Sequence, residues 1–568
     1  MNFLNMFNTL SQQKDTTLGE NGTPQLTAES VGDMRLVLFT GLGRDTPILK
    51  LSTLLQQYID SMTEDNICEM LCDLFVITFY KRDCRGGEGE KKLFYTLLGS
   101  LYDDYPKIVQ SLLHLIPYYG SWKDMWLLAS SIPNEEFIQT IYTICSDQLL
   151  KDKTASNEDI TLCAKWSPNE RTEIYTKLYS SFQDYLKMIF PDSTTLEKDY
   201  RILLKTLREK TNVVEQLMCS GRYADIDPKK TPSICANKNR KAFLNISKDA
   251  EKKMEKEQWE TGNRFPSNPD RVLGRQRWLK AVKEGTVKGG QLNPCDLVDS
   301  LSDITDESEI ALIDAQWNDL VLRMRQKIAL AVESGFEPMD NVIPMIDLSP
   351  SMGGGRCYGG NDKHVPMSSA IGLGIMLSEL CDPTYGNMVI TFDSDPHVVT
   401  LDRTLPFSER VKIVHAIPMG YATDFGKAMK CLGNIVLEKK LSQENLPSIC
   451  ILTDEQMDQH RNMFGYSPTA DETIKIMFEQ LGRTISGEPY TRPRTIHWNL
   501  RSNTEGYPVK AHENNVQSVS GYSPSILDLI LCGKPEPNPY ETMRRRLDDE
   551  RYDQIREIVK TELSREVL

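Results

Sequence analysis

The sequence predicts a multidomain protein in which an all-helical, HEAT-like solenoid or ring is followed by a doubly wound α/β domain. Three observations support this prediction. The chain has 568 residues, more than a single hydrophobic core usually supports. Up to about residue 337 the apolar residues recur at helical spacing, and beyond it strand patterns alternate with helix patterns. The boundary between the two domains is therefore expected near residue 337.

Residues 1–30 are predicted to be a flexible leader. They are rich in Ser, Thr, Gln, Gly and Asn and lack the basic-then-apolar order of a secretory signal. No apolar run approaches the roughly 20 residues that span a bilayer, so we expect no membrane contact. The expected location is the cytoplasm, which for a viral protein means the host cytoplasm or the virion.

Cysteine and histidine usage argues against two common kinds of metal site. The 13 cysteines are scattered without a C-x-x-C pair, and the 7 histidines are equally dispersed. This spacing is typical of reduced thiols rather than of a disulfide framework or a zinc ribbon. A histidine-based metal site is not expected either.

Residues 31–337 are predicted to form the helical domain. Amphipathic segments alternate with short polar breaks, and no strict repeat relates them. This pattern is typical of an irregular solenoid of stacked helix pairs. Representative predicted helices are Ile48–Met62, Asp65–Tyr80, Lys91–Tyr102 and Ile108–Ile116.

A basic region lies inside a chain whose net charge is -14. Residues 197–288 contain 22 Lys and Arg against 13 Asp and Glu. Within it, Arg201, Lys205 and Arg208 follow one another at intervals of four and three, which places them on one helix face as a basic stripe. Such a stripe suits phosphate binding, although a solvated helix face is the alternative interpretation.

A connector between two predicted helices contains Lys81, Arg82 and Arg85, followed by Gly86 and Gly87. The glycines allow a tight turn with positive φ, so one interpretation is a purely structural turn. The other is that the three cations present phosphate-binding donors at a helix end.

Residues 338–534 are predicted to form a mostly parallel, doubly wound sheet, because apolar strands alternate with helices. A helical tail is expected at residues 535–568. The predicted strands are Asn341–Leu348, Asn387–Phe392, His397–Leu401, Pro447–Thr453 and Arg494–Leu500. The predicted helices are Met367–Leu380, Ser408–Ile417, Asp424–Leu437, Asp471–Leu481 and Pro524–Leu531.

Oxygen-bearing side chains follow two of these strands. Asp347, Ser349 and Ser351 come after the first strand, Asp454 follows the fourth, and Thr423 precedes a helix. In doubly wound sheets, ligands bind beyond the carboxyl ends of the strands. Three hydroxyls and two carboxylates suit Mg²⁺ or another divalent cation and leave valence open for an external carboxylate or phosphate. The sequence therefore predicts a metal site that binds an acidic partner without catalysis.

The pattern Asp-x-Ser-x-Ser at residues 347–351, followed by a Thr and an Asp on later loops, resembles the metal-ion-dependent adhesion site of von Willebrand factor A domains. The resemblance implies that Ser349, Ser351 and Thr423 coordinate the cation directly. Asp347 and Asp454 would then act directly or through water. The residue between the two serines is proline where the pattern usually has glycine, which stiffens the loop and keeps both hydroxyls.

The glycine-rich stretch at residues 353–364 separates this loop from the next helix. It is expected to be either a flexible surface insertion or a flap that controls access to the metal.

Four earlier segments resemble the TROVE module of Ro ring proteins, and more closely a family of Ro relatives from cellular organisms and large DNA viruses. The order of helical module and A domain is part of the resemblance. It implies a helical ring that binds small structured RNAs and single-stranded RNA ends. The segments are 82–90, Pro117–Trp126, 164–166 and Tyr200–Glu215, and the implied RNA contacts are Lys81, Arg82, Arg85, Arg201, Lys205 and Arg208.

Three functions remain open from the sequence. The favoured one is a non-enzymatic RNA-binding scaffold whose A domain recruits an acidic protein partner through Mg²⁺. An alternative is a protein-only interaction module that uses the Mg²⁺ site, with the basic region merely solvated. A Mg²⁺-dependent phosphohydrolase is less favoured, because Ser349 stands where a second Asp is expected and no P-loop is present.

Overall fold

A computed structural model describes most of the chain. The described residues are 16–19, 21–44, 46–169, 176–246, 262–302, 304–335, 341–353, 366–382, 387–392, 395–418, 423–455, 457, 468–501, 506–531 and 538–566.

The helices dominate the first 335 residues and continue between the strands that follow. In chain order they are α1 (Ala28–Val31), α2 (Met34–Gly41), α3 (Ile48–Asp60), α4 (Ile67–Arg82), α5 (Lys91–Asp104), α6 (Pro106–Leu112), α7 (Ile116–Tyr119), α8 (Trp122–Ser131), α9 (Glu135–Thr154), α10 (Cys163–Trp166), α11 (Thr176–Ile189), α12 (Leu196–Lys210), α13 (Val214–Cys219), α14 (Ser233–Lys238), α15 (Arg240–Phe243), α16 (Pro269–Lys283), α17 (Pro294–Ser300), α18 (Glu307–Glu333), α19 (Pro366–Leu380), α20 (Phe407–His415), α21 (Phe425–Glu438), α22 (Ala470–Ile485), α23 (Ser525–Leu531), α24 (Pro539–Leu547) and α25 (Asp553–Glu566).

The described strands form two sheets. The first is a two-stranded antiparallel hairpin, and the second has six strands in the order β5-β4-β3-β6-β7-β8. All neighbours in the second sheet are parallel except β4 and β5. The strands are β1 (Thr16–Leu18), β2 (Pro24–Leu26), β3 (Val342–Asp347), β4 (Met388–Phe392), β5 (Val398–Thr400), β6 (Ser448–Thr453), β7 (Thr495–Asn499) and β8 (Val516–Ser520).

The prediction of a helical half followed by an α/β sheet is confirmed. Each of the ten elements predicted beyond residue 340 is present, with ends that differ by a few residues. The apolar strands are covered on both faces, as the continuous hydrophobic runs indicated. The structure adds β8 and the hairpin β1–β2, which the sequence did not predict.

The sheet forms the middle layer of a three-layer core. Alternate residues of β3 point to opposite faces, so that Ile346 packs with α19 while Met345 packs with α21 and α22. Helix α19 approaches β3 closely because residue 374 is glycine, where a Cβ would overlap the Ile346 side chain. The carboxyl ends of the parallel strands therefore emerge along one edge of a well-packed core.

The chain divides into two compact units. The α/β unit contains Met1–Ile77 and Lys288–Asp553, and the helical unit contains Thr78–Val287 and Gln554–Leu568. These bounds differ from the predicted domain limits at residues 31, 337 and 534. Helix α18 belongs to the α/β unit because Trp317 stacks on Phe407 of α20, with 3.8 Å between ring centroids. Asp314 of α18 also accepts two hydrogen bonds from Ser408, at 2.8 and 2.9 Å. Helical periodicity alone does not reveal which core a helix covers.

The structure describes residues 16–19 and 21–30 of the segment that is predicted to be a flexible leader. Residues 16–18 pair with residues 24–26, and Leu26 exchanges two backbone hydrogen bonds with Tyr507, at 2.9 and 3.0 Å. The polar composition of this segment predicts flexibility. However, Thr23 and Gln25 are buried within the α/β unit, and their side chains donate hydrogen bonds to backbone carbonyls there. These described residues therefore belong to the α/β unit.

Candidate functional site

The first loop of the predicted metal site follows β3 directly. Asp347 ends the strand, and its Oδ1 accepts a hydrogen bond from the Ser349 backbone N–H at 2.9 Å. Pro350 then opens a short 3₁₀ turn, in which the Ser349 and Ser351 hydroxyl oxygens lie 2.9 Å apart. The structure therefore brings one carboxylate and two hydroxyls together within five residues.

The second carboxylate follows β6, which is hydrogen-bonded to β3 as its parallel neighbour. Thr453, the last residue of β6, donates its hydroxyl hydrogen to Asp347 Oδ2 at 2.7 Å. Asp454 comes next, fully buried, with its Oδ2 3.5 Å from an Arg501 guanidinium nitrogen. Asp347 and Asp454 thus occupy the same end of adjacent strands.

This end of β3 and β6 is the topological switch point of the sheet. From β3 the chain continues to β4 on one side, whereas from β6 it continues to β7 on the other. In doubly wound folds the connections on the two sides of such a point lead away from each other, and ligands bind in the crevice between them.

Thr423 and Asp424 precede α21. Thr423 is buried, and its membership of the ligand set stays a prediction. Asp424 has a structural function, because its carboxylate accepts the Lys427 backbone N–H at 2.9 Å and caps the helix. The other carboxylate oxygen of Asp424, Oδ2, lies 3.5 Å from Lys427 Nζ.

Burial and mutual repulsion shift the acidity of this cluster. Burial, followed by the charge of Asp454, raises the pKa of Asp347 to about 7. Hydrogen bonds from Ser349 and Thr453 act in the opposite direction and do not cancel the effect. A cation next to these carboxylates would favour their ionised forms.

Glu455 is a third buried carboxylate that sequence reasoning missed. Burial, Asp454 and Asp347 raise its pKa to about 8. Its backbone has φ of +62°, a conformation that costs a non-glycine residue about 1–2 kcal/mol. The sequence signal is the acidic pair at residues 454–455 directly after an apolar strand.

His497 of β7 lies beside Glu455, with 4.0 Å between His497 Nδ1 and Glu455 Oε1. Both side chains are buried, and neither of these two atoms has a hydrogen-bond partner among the described residues. Burial and the charge of Arg492 lower the pKa of His497 to about 3, so the imidazole is neutral at pH 7. It therefore does not neutralise the carboxylates at the switch point.

The donor set fits a hard divalent cation. Carboxylate and hydroxyl oxygens are the ligands that Mg²⁺ and Ca²⁺ prefer. Within the described ranges, no group of three or more His, Cys, Asp and Glu side chains is arranged to hold a metal ion. A cation at this site would therefore depend on Ser349 and Ser351 as well as on the carboxylates. The predicted flap at residues 353–364 lies outside the described residues except for Gly353.

Two of the six predicted RNA contacts are buried in ion pairs. Lys81 Nζ lies 2.7 Å from Glu88 Oε1, with both side chains at most 1% exposed. Arg82 donates to Asp124 Oδ2 at 2.6 Å, and the same carboxylate oxygen caps α8 by accepting the Ser121 N–H at 2.7 Å. Both cations therefore stabilise the glycine-rich turn, which agrees with its structural interpretation.

The other four predicted contacts differ in accessibility. Arg208 of α12 is half-buried and donates to the Ala164 carbonyl at 2.9 Å. Arg85 is exposed and donates to the Tyr118 carbonyl at 2.6 Å. Arg201 and Lys205 are exposed on α12, and Lys205 lies 3.8 Å from Glu209. The stripe therefore keeps Arg201 and Lys205 at the surface, while Arg208 contacts a neighbouring segment.

No helix in the described portion of the chain is both long enough and apolar enough to cross a membrane.

The fold and the site define a doubly wound α/β protein with carboxylates and hydroxyls at its switch point, carried on the same chain as a helical unit. A family model described as Domain of unknown function (DUF7788) matches residues 341–564. An uncharacterized protein of Acanthamoeba polyphaga mimivirus is 26% identical over 498 residues, which cover 82% of this chain and 77% of that protein. The second match includes both the helical and the α/β parts.

Proposed function

We propose that this protein is a non-enzymatic binding protein that holds Mg²⁺ or another divalent cation at the end of β3 and β6. The cation captures an acidic group of a protein partner. The observation that supports this most directly is the pair of buried carboxylates, Asp347 and Asp454, on neighbouring strands beside two serine hydroxyls. The proposed ligands are Asp347, Ser349, Ser351, Thr423 and Asp454.

The charge balance supports cation binding. Two buried carboxylates repel each other, and burial together with the charge of Asp454 raises the pKa of Asp347 to about 7. Taking carboxylate charges out of water is costly. A bound divalent cation would offset this cost, and the serine hydroxyls would serve as its further ligands.

The ligand set also supports a binding role. The five proposed protein ligands leave one position of an octahedral cation open, which an external carboxylate can fill. The doubly wound sheet and the position of the cluster at the switch point support the resemblance to a von Willebrand factor A domain. The proposal requires no nucleophile or general base.

Isothermal titration calorimetry with Mg²⁺ and Mn²⁺ tests the proposal. We expect saturable binding to the wild-type protein and its loss in Asp347→Ala, while Asp402→Ala, at an exposed site, serves as the matched control. A glutamate-containing peptide should then bind only in the presence of the cation. Absence of cation binding by the wild type would refute the proposal, and Mg²⁺-dependent phosphate release would favour the phosphohydrolase alternative.

A second candidate function is RNA binding by the helical unit. It is supported by Arg201 and Lys205, which are exposed on α12, and by Trp166, whose ring lies 5.2 Å from both Lys123 Nζ and Lys165 Nζ. Basic side chains next to an aromatic ring suit the phosphates and bases of single-stranded RNA. Together with the cation site, this surface would make the protein the RNA-binding scaffold that the Ro resemblance implies.

Filter binding of single-stranded and structured RNA at several salt concentrations tests this second function. Affinity should fall with rising salt, and the double variant Arg201→Ala, Lys205→Ala should reduce the slope of log affinity against log salt by about one to two. RNA binding that is absent, or that is unaffected by both changes, would contradict it.

A further inference from the structure

The N-terminal hairpin β1–β2 contacts the loop that carries Asp454. Thr23 Oγ1 donates to the Met457 carbonyl at 2.7 Å, and Gln25 Nε2 donates to the Glu455 carbonyl at 2.6 Å. Both donors are buried, at 6% and 5% exposure. Two side chains from the start of the chain thus hold the backbone of a loop more than 400 residues away.

The hairpin itself is firmly attached to the α/β unit. Leu26 exchanges two backbone hydrogen bonds with Tyr507. A Cβ at Gly506 would overlap the Gln25 side chain, so these two segments are in close contact. Directly after the hairpin, α1 is capped by Thr27 and ends at Val31, whose carbonyl accepts the Ala511 N–H at 2.9 Å. Gln25 therefore presents its amide to the loop from a fixed position.

The loop needs such support. Glu455 has positive φ without being glycine, so its conformation persists only where surrounding contacts determine it. Its N–H donates to Thr453 Oγ1 at 3.1 Å, and that hydroxyl donates in turn to Asp347 Oδ2. A continuous series of hydrogen bonds therefore leads from Gln25 through Glu455 and Thr453 to the first carboxylate of the site.

We propose that the hairpin β1–β2 is a clamp that fixes the Asp454 loop and thereby sets the cation affinity of the site, with Thr23 and Gln25 as positioning residues. A preorganised ligand loop binds a cation more tightly than a mobile one, because less conformational freedom is lost on binding. Release of the hairpin would weaken cation binding without removing any ligand. The consequence for cation affinity rests on the proposed function, whereas the clamp itself does not.

The test compares Thr23→Val, Gln25→Ala with a matched double variant, Thr53→Val, Gln56→Ala, in which the same residue types are changed on the exposed face of α3. Hydrogen exchange of the metal-free proteins is measured for the peptide containing residues 453–457. Loss of two hydrogen bonds should accelerate its exchange about tenfold or more. Peptides from the preceding part of β6 should be unchanged in both variants.

Calorimetry with Mn²⁺ provides the second measurement. We expect the affinity of the clamp variant to fall about tenfold, with the control variant equal to the wild type. Unchanged exchange at residues 453–457 would refute the clamp, and faster exchange with wild-type affinity would refute its effect on the site. If the wild type binds no cation, the proposed function fails while the exchange result still decides whether the clamp exists. Thr23→Val alone, which is isosteric, replaces the double variant should that one unfold.

Discussion

Thr453 donates its hydroxyl hydrogen to Oδ2 of Asp347 across two neighbouring parallel strands, with 2.7 Å between the oxygens. Both side chains are fully buried. The Thr453 oxygen also accepts the Glu455 N–H at 3.1 Å. One hydroxyl therefore orients the first carboxylate of the site and the loop of the second carboxylate before any cation binds.

Replacing this hydroxyl should destabilise the fold. Thr453→Val preserves the shape of the side chain but leaves one oxygen of Asp347 without its donor. We expect the free energy of unfolding to fall by about 1–3 kcal/mol, the usual effect of leaving a buried polar group unpaired. Urea denaturation measures the change. Thr453→Ser keeps the hydroxyl, so an equal loss in the two variants would argue against the hydrogen bond as its cause.

The stability of the metal-free protein should decrease with rising pH. Asp347 and Glu455 have pKa values of about 7 and 8 in the folded protein, against ordinary values of 3.8 and 4.5. The unfolded chain therefore releases these protons at lower pH than the folded one, and the free energy of unfolding falls between about pH 4 and pH 8. Thermal denaturation across this range, in a chelating buffer, measures the decrease.

Two comparisons identify the groups responsible for that decrease. The double variant Asp347→Asn, Glu455→Gln should show a flatter pH dependence, because neither amide titrates. Excess Mg²⁺ should restore stability at pH 8 in the wild type, since a bound cation favours the ionised carboxylates. A pH profile that is the same in both proteins would show that other groups cause it.

The sequence predicted the α/β elements well because their apolar runs are continuous. Strand β8 was missed because Val516–Ser520 contains three polar residues. The structure buries these side chains, and two of them make hydrogen bonds, Gln517 to the Thr542 hydroxyl and Ser520 to the Phe39 carbonyl. Such partners lie far away along the chain, so a polar strand buried between them looks like a loop in the sequence.

The candidate site was predictable as far as strand ends were recognisable. Asp347 ends one apolar strand and Asp454 directly follows another, and the two strands are neighbours in the sheet. The positions of Lys81 and Arg82 could not be predicted, because spacing does not distinguish an exposed cation from one paired inside a turn. Their partners, Glu88 and Asp124, lie 7 and 42 residues further along the chain.

The basic residues of the helical unit should separate into two classes by stability. Arg82→Ala leaves Asp124 buried without its cation, so we expect a loss of about 3–5 kcal/mol in the free energy of unfolding. Arg201→Ala and Lys205→Ala, at exposed sites, should each change it by less than about 0.5 kcal/mol. Guanidinium denaturation of the three variants measures this. A tolerated Arg82→Ala would contradict a structural role for the ion pair.

Glu455→Gly should stabilise the metal-free protein at pH 8. The substitution removes a buried carboxylate whose ionisation is opposed by Asp454 and Asp347, and it relieves the positive φ. Glycine also adds about 0.5–1 kcal/mol of conformational entropy cost on folding. Because the strain amounts to about 1–2 kcal/mol, a net gain is expected.

Glu455→Ala separates the two contributions, since it removes the carboxylate but keeps the Cβ. The glycine variant should unfold at the higher temperature of the two, and an alanine variant of equal or greater stability would show that the backbone at residue 455 is not strained.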